Sequence, residues 1–266
     1  MDRERRSDGP GRRVKSRAPL RAFGAALLTL WFGVAQAAGL TVFCAGAMKA
    51  PVSAIVGARV PNASPIEIVY GTAGALRDRI AKGERPDVLV VPSQDMAVLV
   101  TDRVVDAATR TALGSTGVGV AVRADAPSPD ISTPAALTAT LLAARRIVMV
   151  DPTKGTSGRI VDAVFKELGI ADAMRDKTLE LDGGYVVEAV ARGEADVGLH
   201  QVTEILPVAG VKLVGPLPGD LNRLTRYDAA IVATTTHRAE ADALMGALTN
   251  DDARRRIEAA GFTPAR

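Results

Sequence analysis

The feature that most limits how this chain can fold is a regular alternation of short apolar runs with helix patterns. Three runs rich in Val, Ile and Leu, each followed by a helix pattern, cover residues 40–44, 66–70 and 88–91. The run 88–91 is continuously apolar, which is typical of a parallel strand that helices cover on both faces. The alternation therefore predicts the α/β class, with a doubly wound sheet.

A second unit of the same kind begins near residue 119. Strand patterns cover residues 118–122, 147–150 and 196–199, and an amphipathic helix pattern covers 157–169. A β-rich run at 229–234 and two further helix patterns then complete the chain. The chain is long enough for two lobes of roughly 100 residues each.

The N-terminal segment has the pattern of a signal peptide. Eight Lys and Arg residues within the first 21 precede the apolar run 22–35, and Ala35-Gln36-Ala37 follows. The apolar run is too short for a membrane span, which needs about 20 residues. We therefore expect residues 1–37 to be removed on export and the protein to be periplasmic. The basic excess lies in this segment, and the rest of the chain shows no nucleic-acid signature.

The residue types that build metal sites and catalytic triads are scarce. Cys44 is the only cysteine, and His200 and His237 are the only histidines. Ser157 lies outside any G-x-S-x-G elbow, and the sequence places no histidine beside it. We therefore expect no metal, no cofactor, no catalytic residue and no enzymatic activity.

Three loops rich in small residues stand where a strand pattern gives way to a helix pattern. They cover residues 45–48, 71–74 and 153–158. Helix N-termini offer unpaired N–H groups and a partial positive charge, and they lie beyond the carboxyl ends of the strands. One such loop is commonly only a tight turn, but three together predict a site for a small anion.

The same loops carry a family resemblance. The matching segments are 42–48, 71–76, 193–198 and 261–264, with Asp151-Pro152 and Gly158 between them. With these segments the chain resembles the periplasmic molybdate-binding proteins of ABC importers, which have the type II solute-binding fold. The resemblance extends over residues 39–266.

The resemblance implies two doubly wound lobes joined by a two-strand hinge. The first lobe would comprise residues 38–120 and 230–266, and the second 121–229. It implies a monomer that captures a small anion such as molybdate or tungstate between the lobes and delivers it to ABC permease subunits. A periplasmic sensor or accessory protein of the same fold is the alternative role.

The resemblance also suggests which residues meet the ligand, although several differ from the family pattern. Serines are expected where Ala47 and Ala73 stand, and a tyrosine where Gln201 stands. A small carboxylate held by Thr72, Gln201 and Lys154 is therefore an alternative ligand. The candidate binding residues are Gly46, Ala47, Met48, Thr72, Ala73, Gly74, Thr156, Ser157, Gly158, Gly183, Tyr185 and Gln201.

Overall fold

A computed structural model describes residues 39–58 and 65–265; the predicted signal peptide lies outside these residues. Eleven strands and ten α-helices are described, and none of these helices is long and apolar enough to cross a membrane. The strands are β1 (Leu40–Ala45), β2 (Ile66–Gly71), β3 (Val88–Pro92), β4 (Thr111–Thr116), β5 (Val118–Arg123), β6 (Ile147–Val150), β7 (Thr178–Leu181), β8 (Val197–Gln201), β9 (Val211–Pro216), β10 (Thr225–Ile231) and β11 (Thr263–Pro264). The helices are α1 (Lys49–Gly57), α2 (Ala73–Ala81), α3 (Ser93–Thr101), α4 (Pro134–Ala143), α5 (Thr156–Glu167), α6 (Ala171–Arg175), α7 (Glu188–Ala191), α8 (Val202–Ile205), α9 (Arg238–Thr249) and α10 (Asp251–Ala259).

The first lobe is built on a six-stranded sheet with the order β11-β4-β10-β3-β1-β2. Strands β1, β2 and β3 are parallel, and β10 pairs antiparallel with both β3 and β4. Side chains of α1, α9 and α10 form one core with the sheet, and those of α2 and α3 form a second core on its other face. Burial on both faces explains the continuous apolar run of β3.

The second lobe repeats this plan with a five-stranded sheet of order β7-β6-β8-β5-β9. Strand β6 is parallel to β7 and β8, whereas β5 is antiparallel to β8 and β9. Helices α4, α5 and α6 cover one face, and α7 and α8 cover the other. The predicted two-lobed α/β fold is therefore confirmed.

The chain passes between the lobes twice. It crosses at Gly117, between β4 and β5, and returns through residues 217–224, between β9 and β10. The boundaries expected from the sequence, 120/121 and 229/230, fall inside β5 and β10. Because each of those strands belongs wholly to one sheet, the lobes divide at the two crossings instead.

Hydrogen bonds to the buried carboxylate of Asp228 link the start of α3 to β10. Asp228 accepts hydrogen bonds from Ser93 Oγ and Arg110 Nε, both at 2.6 Å. Ser93 is the first helical residue of α3, and its side chain makes no cap. Its hydroxyl donates to the buried carboxylate because that acceptor needs a partner in the core.

Candidate functional site

A cleft of about 150 Å³ separates the two lobes at the carboxyl ends of their parallel strands. The first lobe contributes the ends of β1, β2 and β3 together with β10. The second lobe contributes the ends of β6 and β8 and the loop after β7. The lining residues are Ala45, Gly46, Ala47, Lys49, Tyr70, Gly71, Thr72, Ala73, Pro92, Val150, Gly155, Thr156, Ser157, Gly183, Gly184, Tyr185, His200, Gln201, Glu204 and Tyr227.

Two helices begin at this cleft, one from each lobe. Helix α2 starts after Thr72, whose Oγ1 accepts a hydrogen bond from Ala75 N at 3.3 Å. Helix α5 starts after Gly155. Neither helix has an acidic residue in its first turn, so no local carboxylate neutralises its positive end. Both ends can therefore attract a negatively charged group.

The lobes touch directly at the edge of the cleft. Gly74 N–H donates to the carbonyl oxygen of Lys154 across the lobes, at 3.3 Å. A Cβ atom at Gly74 would lie 2.8 Å from that oxygen, and one at Gly183 would lie 2.5 Å from Thr72 Cγ2. Such distances are shorter than van der Waals contact, so the absence of side chains lets the lobes approach this closely.

Lys49 brings a cation to the cleft. Its Nζ lies 4.9 Å from the ring centroid of Tyr185 in the second lobe and 5.6 Å from that of Tyr70 in the first. Both separations are within the range of cation–π attraction. Among the described residues that line the cavity, Lys49 is the only Lys or Arg.

A chain of buried polar groups leads from the cleft into the second lobe. Ser157 Oγ lies 3.2 Å from His200 Nδ1, and both side chains are buried. On the other side of the ring, His200 Nε2 lies 3.0 Å from the carbonyl oxygen of Gly184 and 3.4 Å from Glu204 Oε1. A carbonyl oxygen can only accept, so Nε2 carries a proton. In the neutral ring Nδ1 is then an acceptor, and the Ser157 hydroxyl donates to it.

Burial and the nearby carboxylate have opposite effects on this histidine. Desolvation by burial lowers the pKa of His200, but its charge interaction and hydrogen bond with Glu204 and its bond to Gly184 raise it, and the net pKa lies above 6.5. Burial, with a smaller effect of Glu204, raises the pKa of the Cys44 thiol. Cys44 therefore remains a neutral core thiol at the end of β1.

A family model described as bacterial extracellular solute-binding protein matches residues 40–263. The chain belongs to this family. The predicted export agrees with the extracytoplasmic location of the family, and the resemblance to molybdate-binding proteins is confirmed at the level of the family and fold.

Three similar proteins show how widely ligands differ among relatives of this solute-binding protein. An aconitate isomerase from Pseudomonas sp is 29% identical over 257 residues, which cover 93% of this chain and 97% of the relative. A molybdate-binding protein of Escherichia coli (strain K12) is 25% identical over 198 residues, covering 73% and 77%. The structure of the Azotobacter vinelandii periplasmic molybdate-binding protein superposes with a TM-score of 0.72 at 20% identity, covering 85% and 100%.

Most candidate residues of the solute-binding protein lie together around the cleft. They are Gly46, Ala47, Thr72, Ala73, Thr156, Ser157, Gly183, Tyr185 and Gln201. Gln201 Nε2 donates to Thr225 Oγ1 at 3.0 Å, so its amide is partly engaged within the protein.

Three candidates do not line the cavity. The Met48 side chain is fully buried in the core of the first lobe, because the turn at 46–48 directs it under α1. Gly74 contacts the other lobe at the rim, and Gly158 packs against the backbone at the end of β6. These two glycines allow close backbone contacts beside the cleft, whereas the residues next to them in the sequence line the cavity.

Five polar lining residues are absent from the sequence-derived set, including the two with charged side chains. They are Lys49, Tyr70, His200, Glu204 and Tyr227. The expectation that no histidine lies beside Ser157 is wrong, because β6 and β8 are neighbours in the sheet and bring His200 to the start of α5. Lys154, suggested for a carboxylate, is exposed and is not a lining residue.

Proposed function

We propose that this solute-binding protein captures a small polycarboxylate between its lobes. The observation that carries this proposal is the distribution of positive charge around the cleft. Lys49 and the N-termini of α2 and α5 are separate points of attraction from different elements. A di- or tricarboxylate has several carboxylate groups, so one group can bind Lys49 while another binds a helix N-terminus. A tetrahedral oxyanion is a single compact charge and cannot reach all of these groups at once.

The size of the cleft agrees with a polycarboxylate. Its volume of about 150 Å³ gives room for roughly ten water-sized groups, taking about 10–15 Å³ for each. A tricarboxylate such as aconitate has about twelve heavy atoms, whereas a tetrahedral oxyanion has about five. The oxyanion would leave much of the cleft unfilled.

The hydroxyl donors of the cleft also favour carboxylate over molybdate. Ala47 and Ala73 line the cavity at the positions where the family resemblance leads us to expect serines. Each missing charge-assisted hydrogen bond costs about 1.5–3 kcal/mol of affinity. The Ser157 hydroxyl is engaged with His200, whereas Thr72 Oγ1 accepts from Ala75 N–H and keeps its own proton free to donate to a carboxylate.

The first candidate role for this binding is transport. We propose that the protein acts as a monomer, closes on its ligand, and docks on the permease subunits of an ABC importer. The family assignment supports this role.

The second candidate role is isomerisation of the bound carboxylate. The similarity to an aconitate isomerase over nearly the whole of both chains supports it. The specific structural support is the contact between the Ser157 hydroxyl and an imidazole nitrogen that accepts protons, at the wall of the cleft. The residues of the site, and not the fold, distinguish the two roles.

Isothermal titration calorimetry of the purified protein tests the proposed ligand. We expect heat of binding with cis-aconitate, trans-aconitate or citrate, and weaker or no heat with molybdate, tungstate and sulfate. Tight binding of molybdate and tungstate alone would contradict the proposal. The ligand would then be the oxyanion that the resemblance to molybdate-binding proteins implies. Proton NMR of cis-aconitate incubated with the protein then distinguishes binding alone from isomerisation.

Replacement of Gly74 by valine is expected to weaken binding of the best polycarboxylate by about tenfold. The new side chain would meet the Lys154 carbonyl oxygen, so the fraction of molecules that can close falls, and apparent affinity falls with it. Small-angle X-ray scattering with saturating ligand should report a larger radius of gyration than for the unaltered protein. Gly57→Val is the control, because no atom lies within 4 Å of a Cβ at that position. Equal affinity and equal compaction in the Gly74 variant would contradict this role of the lobe contact.

A further inference from the structure

We propose that Ser157 and His200 form a proton-transfer pair that acts on a carbon–hydrogen bond of the captured polycarboxylate. In this pair Ser157 is the group that meets the ligand, and His200 Nδ1 is the final proton acceptor. The inference rests on the proposed polycarboxylate site and adds the residues that would perform chemistry there.

The surroundings of His200 fix the direction of proton transfer. The Gly184 carbonyl oxygen and the Glu204 carboxylate both face Nε2, so the ring keeps its proton on that nitrogen. The lone pair of Nδ1 is thereby directed at Ser157 Oγ. Because Ser157 donates its hydroxyl proton to the ring, a lone pair of its oxygen remains available on the side of the cleft. This arrangement is that of a hydroxyl activated by an adjacent general base.

The burial of the pair argues against a purely structural role. A buried serine is normally satisfied by one backbone acceptor within its own helix turn. Ser157 instead lies in the first turn of α5 and meets a histidine 43 positions away in the sequence. Both residues line the cleft. A catalytic base needs this combination of access to the ligand and restricted access to water.

The chemistry balances without any further reactant. A methylene group of aconitate loses a proton to Ser157 Oγ as the serine proton passes to His200 Nδ1. The electron pair of that C–H bond spreads over the allylic carbons and the attached carboxylates. Transfer in reverse returns a proton to the other allylic carbon, which moves the double bond and regenerates Ser157 and neutral His200. No oxidant, reductant or metal takes part.

Neighbouring charges would stabilise both products of the first step. The imidazolium formed on His200 lies 3.4 Å from Glu204 Oε1, so Glu204 is a positioning residue that acts through the ring. Lys49 and the N-termini of α2 and α5 face the same cleft and would stabilise the added negative charge on the ligand.

A pH profile provides a readout that a structural role would not affect. His200 must be neutral to accept a proton, so turnover should rise as the pH rises through its pKa, which burial lowers but Glu204 and the Gly184 carbonyl raise to a net value above that of an ordinary histidine. The other titratable or charged groups near the pair are Glu204, Lys49, Tyr70, Tyr185, Tyr227, Cys44 and Arg159. Burial raises the pKa values of the tyrosines and of the Cys44 thiol, which favours their neutral forms.

The test compares Ser157→Ala and His200→Gln with the unaltered protein, using aconitate isomerisation by proton NMR and binding by calorimetry. Glutamine keeps an N–H donor for Gly184 but cannot accept a proton. We expect each variant to lose about 100-fold or more of the turnover while aconitate affinity stays within a few-fold. His237→Gln is the matched control, since His237 contacts Asp87 at 3.1 Å and does not line the cleft.

The outcomes separate this inference from the proposed function. Retention of more than a tenth of the turnover in both variants would overturn the assignment of the pair. Aconitate binding without isomerisation by the unaltered protein would overturn the inference and leave the proposed ligand intact. Absence of binding to every polycarboxylate would overturn both. A melting temperature close to that of the unaltered protein shows that a variant's loss of turnover is not a loss of folding.

Discussion

Replacement of Gly158 by alanine is expected to lower the free energy of unfolding by about 3 kcal/mol. Gly158 lies in the first turn of α5, where a Cβ atom would be 2.2 Å from the carbonyl oxygen of Val150 and 2.9 Å from the carbonyl group of Asp151. All of these atoms are backbone, so no side-chain rotation can relieve the overlap. The start of α5 would have to move away from the end of β6, which also displaces Ser157.

A second glycine provides the matched control for this prediction. Gly246 lies on the exposed face of α9, and a Cβ atom there would meet nothing within 4 Å. Gly246→Ala is expected to stabilise the protein by about 0.5–1 kcal/mol, through helix propensity alone. Urea unfolding followed by circular dichroism measures both variants. Equal stability of Gly158→Ala and the unaltered protein would show that α5 does not depend on this close contact.

The fold and the location of the cleft could be predicted because both depend on local patterns. Apolar runs such as 88–91 indicate buried parallel strands, and small residues before Ala73 and Thr156 indicate helix starts. Parallel strands then bring these starts to one edge of each sheet. The arrangement of the two cores follows from the same periodicity.

The chemistry of the cleft could not be predicted in this way, because it depends on contacts between distant residues. His200 lies in β8, and no local motif distinguishes it from His237, which pairs with Asp87 away from the cleft. What places His200 beside Ser157 is the order of β6 and β8 in the sheet together with the tight approach of α5 at Gly158. Neither is visible from residue spacing.

The positions at which the chain crosses between the lobes also depend on contacts between distant residues. The sequence marks β5 and β10 as strands, but it does not show to which sheet each strand belongs. Antiparallel pairing assigns β5 to the second lobe and β10 to the first. The expected boundaries therefore fell within strands, although the two-lobed plan itself was predictable.

Replacement of Lys49 by methionine is expected to weaken polycarboxylate binding by about 10- to 100-fold, which corresponds to about 1.5–3 kcal/mol for a lost charge-assisted hydrogen bond. Lys49 is the first residue of α1 and carries the only Lys or Arg charge among the described residues of the cavity lining. Methionine is unbranched and one atom shorter than lysine, so it keeps most of the apolar stem beside Tyr185 and Tyr70 and removes the charge. Folding stability should change little, because Lys49 is exposed and its charge is not part of a core.

Lys154→Met is the decisive comparison for the role of Lys49, because both lysines are exposed and belong to loops or helix starts next to the cleft. Only Lys49 lines the cavity; the backbone carbonyl of Lys154 makes the contact with Gly74. The affinity of Lys154→Met should therefore stay within about threefold of that of the unaltered protein. The charge of an exposed lysine outside the cavity lining is largely screened by water and salt. Calorimetry with citrate and aconitate at two salt concentrations measures both variants. A loss of affinity in Lys154→Met with none in Lys49→Met would show that the anion binds at the rim of the cleft and not in its depth. That result would contradict the charge argument on which the polycarboxylate assignment rests.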